Sequence, residues 1–147
     1  MDDEPDISVF RPDRPGIRKV MGDLEANIME VIWAYPVGVG ITVRDVYEKL
    51  HKDRSIAYTT VMTTMNRLAK KRLLRAEKRD QTFVYHPNFT QDEFILRFVG
   101  RVLEDLLVSF AGPTFDRLDN LPDQQSAERA RHLLDEIARR RAEEEQE

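Results

Sequence analysis

The sequence contains no cysteine and only three histidines among its 147 residues. The absence of thiols excludes disulfide frameworks, thiolate nucleophiles, iron–sulfur clusters and cysteine-ligated zinc or copper sites. His51, His86 and His132 lie far apart in the chain and show no spacing typical of metal ligands. We therefore predict no metal site and no cofactor.

Long apolar runs are also missing, because charged residues interrupt every hydrophobic stretch before it reaches the length of a membrane span. The acidic first five residues differ from the basic start of a secretory signal. We expect a cytoplasmic protein that does not insert into membranes.

Features that would support catalysis are absent from the sequence. The six glycines form no phosphate-binding motif, and no nucleophile is paired with a base. The many carboxylates of the C-terminal third fall at helical positions that face solvent. The sequence therefore predicts no catalytic residues and a protein that is not an enzyme.

Positive charge is concentrated in one short segment of an otherwise acidic chain. The whole chain has a net charge of −4, but residues 55–90 carry seven Lys or Arg against two Asp or Glu, which gives +5. A phosphate backbone responds to such a local field rather than to the total charge. A solvated basic face is the alternative interpretation.

The order of predicted elements is three helices followed by a β-hairpin. Apolar spacing predicts a first helix from Asp23, a suitable N-cap, to about Ala34 and a third from Ala57 or Tyr58 to Lys71. A second helix is predicted to follow Thr42, which can form a capping box with Asp45. Alternating residues predict strands near 73–78 and 82–86. We predict a mainly α protein with a winged helix-turn-helix at residues 20–88, a fold commonly used to bind DNA. Residues 1–19, rich in proline, are expected to form a flexible arm.

Residues 89–147 are predicted to form a two-helix dimerisation domain. The first helix is expected to end at Gly112-Pro113 and the second to begin near Asp123. Their apolar surface is too wide for helices packed on one side, so we predict a homodimer. The alternative is that both helices complete a monomeric core. The predicted dimer contacts are Phe94, Ile95, Phe98, Val99, Val102, Leu103, Leu106, Leu107, Phe110, Leu133, Leu134 and Ile137.

The third helix is the candidate for reading DNA in a major groove. Threonine bonds base edges or contacts the thymine methyl group, and asparagine binds adenine with two hydrogen bonds. A plain solvated face, with Thr59 or Thr60 as helix cap, is the alternative. We predict base contacts from Thr59, Thr60, Met62, Thr63 and Asn66. Phosphate and wing contacts are predicted for Tyr58, Arg67, Lys70, Lys71, Arg72, Lys78 and Arg79.

Two segments resemble the BlaI/MecI/CopY family of penicillinase and methicillin-resistance repressors. They are LEANIMEVIW at residues 24–33 and YTTVMTTMNRLAKK at residues 58–71. The resemblance implies a homodimer on near-palindromic operator DNA with TACA/TGTA-type half-sites, which shuts off β-lactam-resistance or related genes. In that family the third helix and wing contact DNA, and the C-terminal helices form the dimer.

The resemblance also implies how the repressor is released. In the β-lactam branch, a sensor-linked protease triggers cleavage of an Asn-Phe bond in a short NFA segment. The matching residues here are Ser109, Phe110 and Ala111, so Ser109–Phe110 is the candidate cleavage site, although serine replaces asparagine. The alternative is that Phe110 is a core anchor. The copper branch, with its cysteine-rich tail, is excluded by the absence of cysteine.

Two other functions are compatible with a winged helix. One is a small-molecule-responsive regulator of another winged-helix family. The other is a module that binds only protein.

Overall fold

The computed structural model describes residues 4–120 and 124–146, and within residues 124–146 only part of the side chains. The chain divides into two compact units, of which the first ends at Arg101 and the second begins at Val102. This boundary lies inside a helix and differs from the predicted boundary between residues 88 and 89. Among the described residues, no helix is both long and apolar enough to cross a membrane.

Unit 1 has the element order of a winged helix. After a short 3₁₀ helix at Gly16–Lys19 come α1 (Asp23–Trp33), α2 (Val43–His51), α3 (Tyr58–Lys70), β1 (Leu74–Arg79), β2 (Thr82–Pro87) and the start of α4 (Gln91–Ser109). The mainly helical winged-helix prediction is therefore confirmed.

The three helices pack around one apolar core. Ile28 and Ile32 of α1, Val46 of α2, and Met65 and Leu68 of α3 are all buried in it. These residues recur at three- and four-residue intervals along each helix, so a single face of each helix is apolar. Burial of these faces fixes which sides of the helices remain exposed.

Helix starts follow local capping chemistry. The Oγ1 of Thr42 accepts from the amide of Asp45 at 3.1 Å, and the Asp45 carboxylate accepts from the Thr42 amide at 2.9 Å. This is the predicted capping box. Helix α1 begins at Asp23, but its N-cap is Gly22 rather than Asp23. The reason is that Asp23 forms ion pairs with Arg14 and Arg18 instead.

Helix α3 ends in a backbone motif that turns the chain toward the wing. The amide of Leu73 donates to the Leu68 carbonyl at 3.0 Å, and the amide of Arg72 donates to the Ala69 carbonyl at 3.1 Å. Arg72 has a left-handed φ of 65°, a conformation usually taken by glycine in this Schellman arrangement. Local sequence gives no signal for this, because the residue that adopts the turn is an arginine.

The wing is a two-stranded antiparallel hairpin closed by Asp80 and Gln81, with Arg79 opposite Thr82. Asp80 has a φ of 56°, which aspartate tolerates better than most residues. Ile41 adds an isolated bridge on the other edge of β2 and pairs with Tyr85. Tyr85 is therefore held by strand contacts on both sides.

The N-terminal segment, expected to be a flexible arm, packs against unit 1 from Glu4 onward. The Asp6 amide donates to the Lys71 carbonyl at 2.9 Å, and Arg72 Nε donates to the Glu4 carbonyl at 2.8 Å. Ile17 is buried in the core. The difference from the sequence-based expectation arises because Lys71 and Arg72, which anchor Glu4 and Asp6, are far away in sequence.

The first part of α4 belongs to the core of unit 1, which corrects its predicted role in dimerisation. Phe94 is 1% exposed, and its ring lies 5.8 Å from Trp33 and 5.8 Å from Phe98. Phe98 is also buried, and Ile95 packs against the same core. Phe94 and Phe98 are thus covered within their own chain and are not available to a partner.

The second part of α4 and helix α5 carry exposed apolar side chains. Helix α5 spans Ala111–Asp119 and α6 spans Gln124–Glu144, so the described residues after Phe89 form three helical segments where the sequence predicted two. Gly112-Pro113 does not end a helix: the break is at Phe110, and Pro113 lies in the first turn of α5, where a proline is tolerated. The side chains of Leu133, Leu134 and Ile137 lie outside the described residues.

The core role of Phe94 is tested by truncation. We expect Phe94→Ala to lower the free energy of unfolding by about 3–5 kcal/mol, because a large buried ring is removed. Leu96→Ala, on the same helix and at a side chain that is 64% exposed, should change it by no more than about 0.5 kcal/mol. Urea denaturation followed by circular dichroism measures both. Equal effects of the two substitutions would contradict the assignment.

Candidate nucleic-acid interface

Helix α3 presents a polar face opposite its buried side. Val61, Thr64, Met65 and Leu68 are buried. The five residues predicted to contact bases, Thr59, Thr60, Met62, Thr63 and Asn66, are all exposed. The structure therefore brings them together on one surface, here called the reading face, and their contact with DNA stays a prediction.

The threonines of α3 have part of their hydrogen-bonding capacity used by the helix itself. Thr63 Oγ1 donates to the Thr59 carbonyl at 2.8 Å, and Thr64 Oγ1 donates to the Thr60 carbonyl at 2.8 Å. Because its proton is committed, the Thr63 hydroxyl offers an acceptor and a neighbouring methyl group to a groove. The helix begins at Tyr58 with Ala57 as N-cap, so neither Thr59 nor Thr60 caps it.

Asn66 is the one residue of the reading face that is bonded to the wing. The Tyr85 hydroxyl donates to Asn66 Oδ1 at 2.7 Å. Burial raises the pKa of Tyr85 above its ordinary value, so this hydroxyl keeps its proton at neutral pH. The bond connects the recognition helix to β2.

Tyr58 starts α3 and lies against α2. Its ring makes an edge contact with Tyr47 at a centroid distance of 5.6 Å. The guanidinium of Arg44 lies 6.0 Å from the centre of the Tyr58 ring. Arg44 was not among the residues predicted from the sequence. The sequence did offer a signal for a phosphate contact by Arg44. It lies in the first turn of α2, and the corresponding helix of helix-turn-helix proteins crosses the DNA backbone.

The predicted phosphate-binding residues separate into two groups. Arg67, Lys70 and Lys78 are exposed, and none has an ion pair within the described part of the chain. Arg79 is exposed at the wing tip and pairs with Glu77 at 3.4 Å. These four side chains remain candidates for phosphate contacts, because they lie beside the reading face on α3 or on the wing.

Lys71 and Arg72 form the second group because both bond to their own chain, and their contact with phosphates stays a prediction. Lys71 Nζ lies 3.0 Å from a carboxylate oxygen of Glu25, whose side chain is only 11% exposed. Arg72 donates to the Glu4 carbonyl. The sequence alone could not separate these two residues from the other basic residues of the run, because their partners Glu25 and Glu4 are distant in sequence.

The base of the wing contains a buried histidine. His86 Nε2 has no hydrogen-bond partner among the described residues and lies 3.4 Å from a carboxylate oxygen of Glu77. A hydrogen bond from Arg79 is the main cause that lowers the pKa of Glu77, with a smaller effect of His86. No group of acidic or histidine side chains suited to a metal ion occurs in the described residues.

Comparison with known proteins identifies the family. The family model named penicillinase repressor matches residues 21–139, which is most of the chain. The chain belongs to the penicillinase repressor family. Members of this family are transcriptional repressors and not enzymes, so the family prediction and the prediction of a non-enzyme are both confirmed.

Two kinds of relative illustrate the membership. The chain is 41% identical over 75 residues to the transcriptional regulator BlaI of Mycobacterium tuberculosis, in strains CDC 1551 / Oshkosh and H37Rv, covering 51% of this chain and 53% of the relative. It is 29% identical over 98 residues to the penicillinase repressor of Bacillus licheniformis, covering 61% of this chain and 74% of the relative. The chain thus spans about half the length of the mycobacterial relatives it matches.

The two adjacent lysines at the end of α3 provide a matched test of the interface. We expect Lys70→Met to weaken DNA binding and to reduce its salt dependence by about one phosphate contact, with unchanged stability. Lys71→Met should instead lower the free energy of unfolding by about 1–3 kcal/mol, because it leaves Glu25 without its partner. Fluorescence anisotropy over a salt series and urea denaturation measure the two effects. An equal loss of salt dependence in both variants would contradict the assignment of Lys70 to DNA and of Lys71 to Glu25.

Proposed function

We propose that this penicillinase repressor family protein is a sequence-specific repressor that binds near-palindromic operators as a homodimer. The observation that carries the proposal is the reading face of α3, which is exposed and mostly polar, together with Arg67 and Lys70, which form no ion pair with any described residue. Such a face fits the major groove, where base edges differ in their hydrogen-bonding groups. TACA/TGTA-type half-sites are the expected target, and β-lactam-resistance or related genes are the expected genes.

Affinity is proposed to come from the residues beside the reading face. Arg67 and Lys70 at the end of α3, and Lys78 and Arg79 on the wing, would neutralise phosphates and orient the protein. Arg44 and Tyr58 at the starts of α2 and α3 extend the same surface. Since operator DNA lies in the cytoplasm of a bacterial cell, that is the proposed location.

The proposed dimer uses the apolar side chains that the chain leaves uncovered. These are Val99, Leu103, Leu106, Val108 and Phe110 of α4 and the break after it, and Phe115 and Leu118 of α5. Val102 and Leu107 are partly buried and contribute to the same proposal. A two-fold dimer places two recognition helices on two symmetric half-sites, which explains why a palindromic operator would be needed.

Release by proteolysis is proposed at the bond between Ser109 and Phe110. Phe110 is 60% exposed, and its φ of −141° and ψ of 57° lie outside the helical region. A protease needs an accessible, non-helical segment, and this break provides one in the single chain, when no dimer partner covers Phe110. Cleavage there would separate α5 and α6 from α4 and weaken the dimer. The exposure of Phe110 also argues against the alternative of a core anchor within one chain.

Dimerisation through α4 is tested by a charge substitution. We expect Leu106→Asp to convert the dimer to a monomer, because Leu106 is 41% exposed in the single chain and would be buried between two copies. Glu104→Lys, at an exposed charged position of the same helix, should leave the dimer intact. Sedimentation velocity gives the mass of each variant. A wild-type monomer at micromolar concentration would contradict the proposal.

Operator binding is tested with a fluorescent duplex that carries a TACA…TGTA dyad and with a scrambled duplex of the same composition. We expect tight, dyad-dependent binding with a steep salt dependence and two chains per duplex. Asn66→Ala and Thr63→Ala should weaken binding to the dyad and leave binding to the scrambled duplex unchanged. Equal wild-type affinity for the two duplexes would contradict the proposed operator.

A further inference from the structure

Tyr85 lies in the wing but faces the recognition helix. It is 2% exposed, and its main chain is paired on both sides. Its amide donates to the Ile41 carbonyl at 2.7 Å and its carbonyl accepts from the Ile41 amide at 3.0 Å, while β1 pairs Ala76 opposite it. The position of the Tyr85 ring is therefore determined by strand pairing and by the core, and not by contact with DNA.

The hydroxyl of this fixed ring reaches one atom of the reading face. It donates to Asn66 Oδ1 at 2.7 Å, while Asn66 itself is exposed on α3. A carboxamide oxygen has two lone pairs, and this bond uses one of them. Among the described residues no other hydrogen bond to this carboxamide occurs, so its second lone pair and the two protons of Nδ2 remain for a ligand in front of the helix.

An unrestrained carboxamide has two orientations that exchange its donor and acceptor ends. The flipped carboxamide could donate to the same hydroxyl, but a phenolic hydroxyl is a better donor than acceptor, so the orientation with the oxygen toward Tyr85 is the more stable one. We propose that Tyr85 is a positioning residue for base recognition, whose buried hydroxyl holds the Asn66 carboxamide in one orientation. This inference rests on the proposed function, in which α3 reads base edges.

The chemistry of the ligand follows from the fixed orientation. A carboxamide that presents an acceptor and a donor side by side matches the N6 amino group and N7 of adenine in the major groove. Tyr85 itself touches no base in this arrangement. Its effect is confined to the single base pair that Asn66 reads, because no other residue of the reading face is bonded to its hydroxyl.

The test is a base-pair scan with the full chain. The wild-type protein first selects its preferred duplex from a randomised library, and each base pair of that duplex is then substituted in turn. Affinities are compared for wild type, Tyr85→Phe, Asn66→Ala and the double variant. Tyr35→Phe is the matched control, because Tyr35 lies at the end of α1, away from the reading face, beside Lys49.

We expect Tyr85→Phe to lose about three- to tenfold of the discrimination at the one base pair where Asn66→Ala loses it, which is the effect of one hydrogen bond. Other base pairs should keep their discrimination, and Tyr35→Phe should behave as wild type. In the Asn66→Ala background, Tyr85→Phe should cause no further loss. Nitrogen-15 relaxation of the Asn66 side-chain amide in the DNA-free protein is the second measurement, and Tyr85→Phe should make this amide more mobile.

The experiment distinguishes a failure of the positioning role of Tyr85 from a failure of the proposed function. Loss of affinity spread over all base pairs, additive losses in the double variant, or an unchanged mobility of the Asn66 amide would each overturn the positioning role while leaving the repressor proposal in place. A wild-type protein that prefers no duplex in the library would overturn the proposed function, and this inference with it.

Discussion

The interface depends on the burial of one side of α3. Val61, Met65 and Leu68 are fully enclosed in the core formed with α1 and α2. Because side chains on a helix recur every 3.6 residues, burial of this side forces Thr59, Met62, Thr63 and Asn66 outward. The hydrophobic effect thus orients side chains that are not themselves buried in the core. Without this packing, α3 could rotate about its axis. The reading face would then lose both its affinity for DNA and its specificity for a base sequence.

A second level of order comes from polar contacts that join separate parts of unit 1. The Glu25–Lys71 ion pair connects α1 to the end of α3. The Tyr85–Asn66 hydrogen bond connects the wing to the middle of α3. The Trp33 indole donates to the Phe89 carbonyl at 2.9 Å, which fixes the entry to α4. These bonds involve partly buried groups, for which an unmade bond is costly. The recognition helix, the wing and the entry to α4 are consequently held together within unit 1.

Sequence reasoning succeeded where the information is local. Apolar periodicity located α1 to α3, the Thr42 and Asp45 pair located a helix start, and the alternation of Phe83 to Tyr85 located the wing. It failed where the partner is distant. Nothing local distinguishes Lys71, which pairs with Glu25, from Lys70, which is exposed. Likewise, the apolar pattern of α4 does not reveal that Phe94 and Phe98 are buried in the core of unit 1, whereas Leu106 stays exposed. The helical break at Phe110 was missed because Gly112-Pro113 gives the stronger breaking signal, yet both residues fit the first turn of α5.

The central claim is that the reading face lies against the bases of bound DNA and that the wing lies beside them, along the phosphates. Photo-crosslinking tests it most directly, with duplexes that contain 5-iodouracil at single thymine positions and with mass spectrometry to identify the attached residue. Exposed aromatic or sulfur-containing side chains near the bases should capture the label, which predicts crosslinks to Met62 and Tyr58 on α3 and to Phe83 on the wing. Crosslinks confined to Tyr35 or to Phe115 of α5 would contradict the claim and move the DNA to another surface.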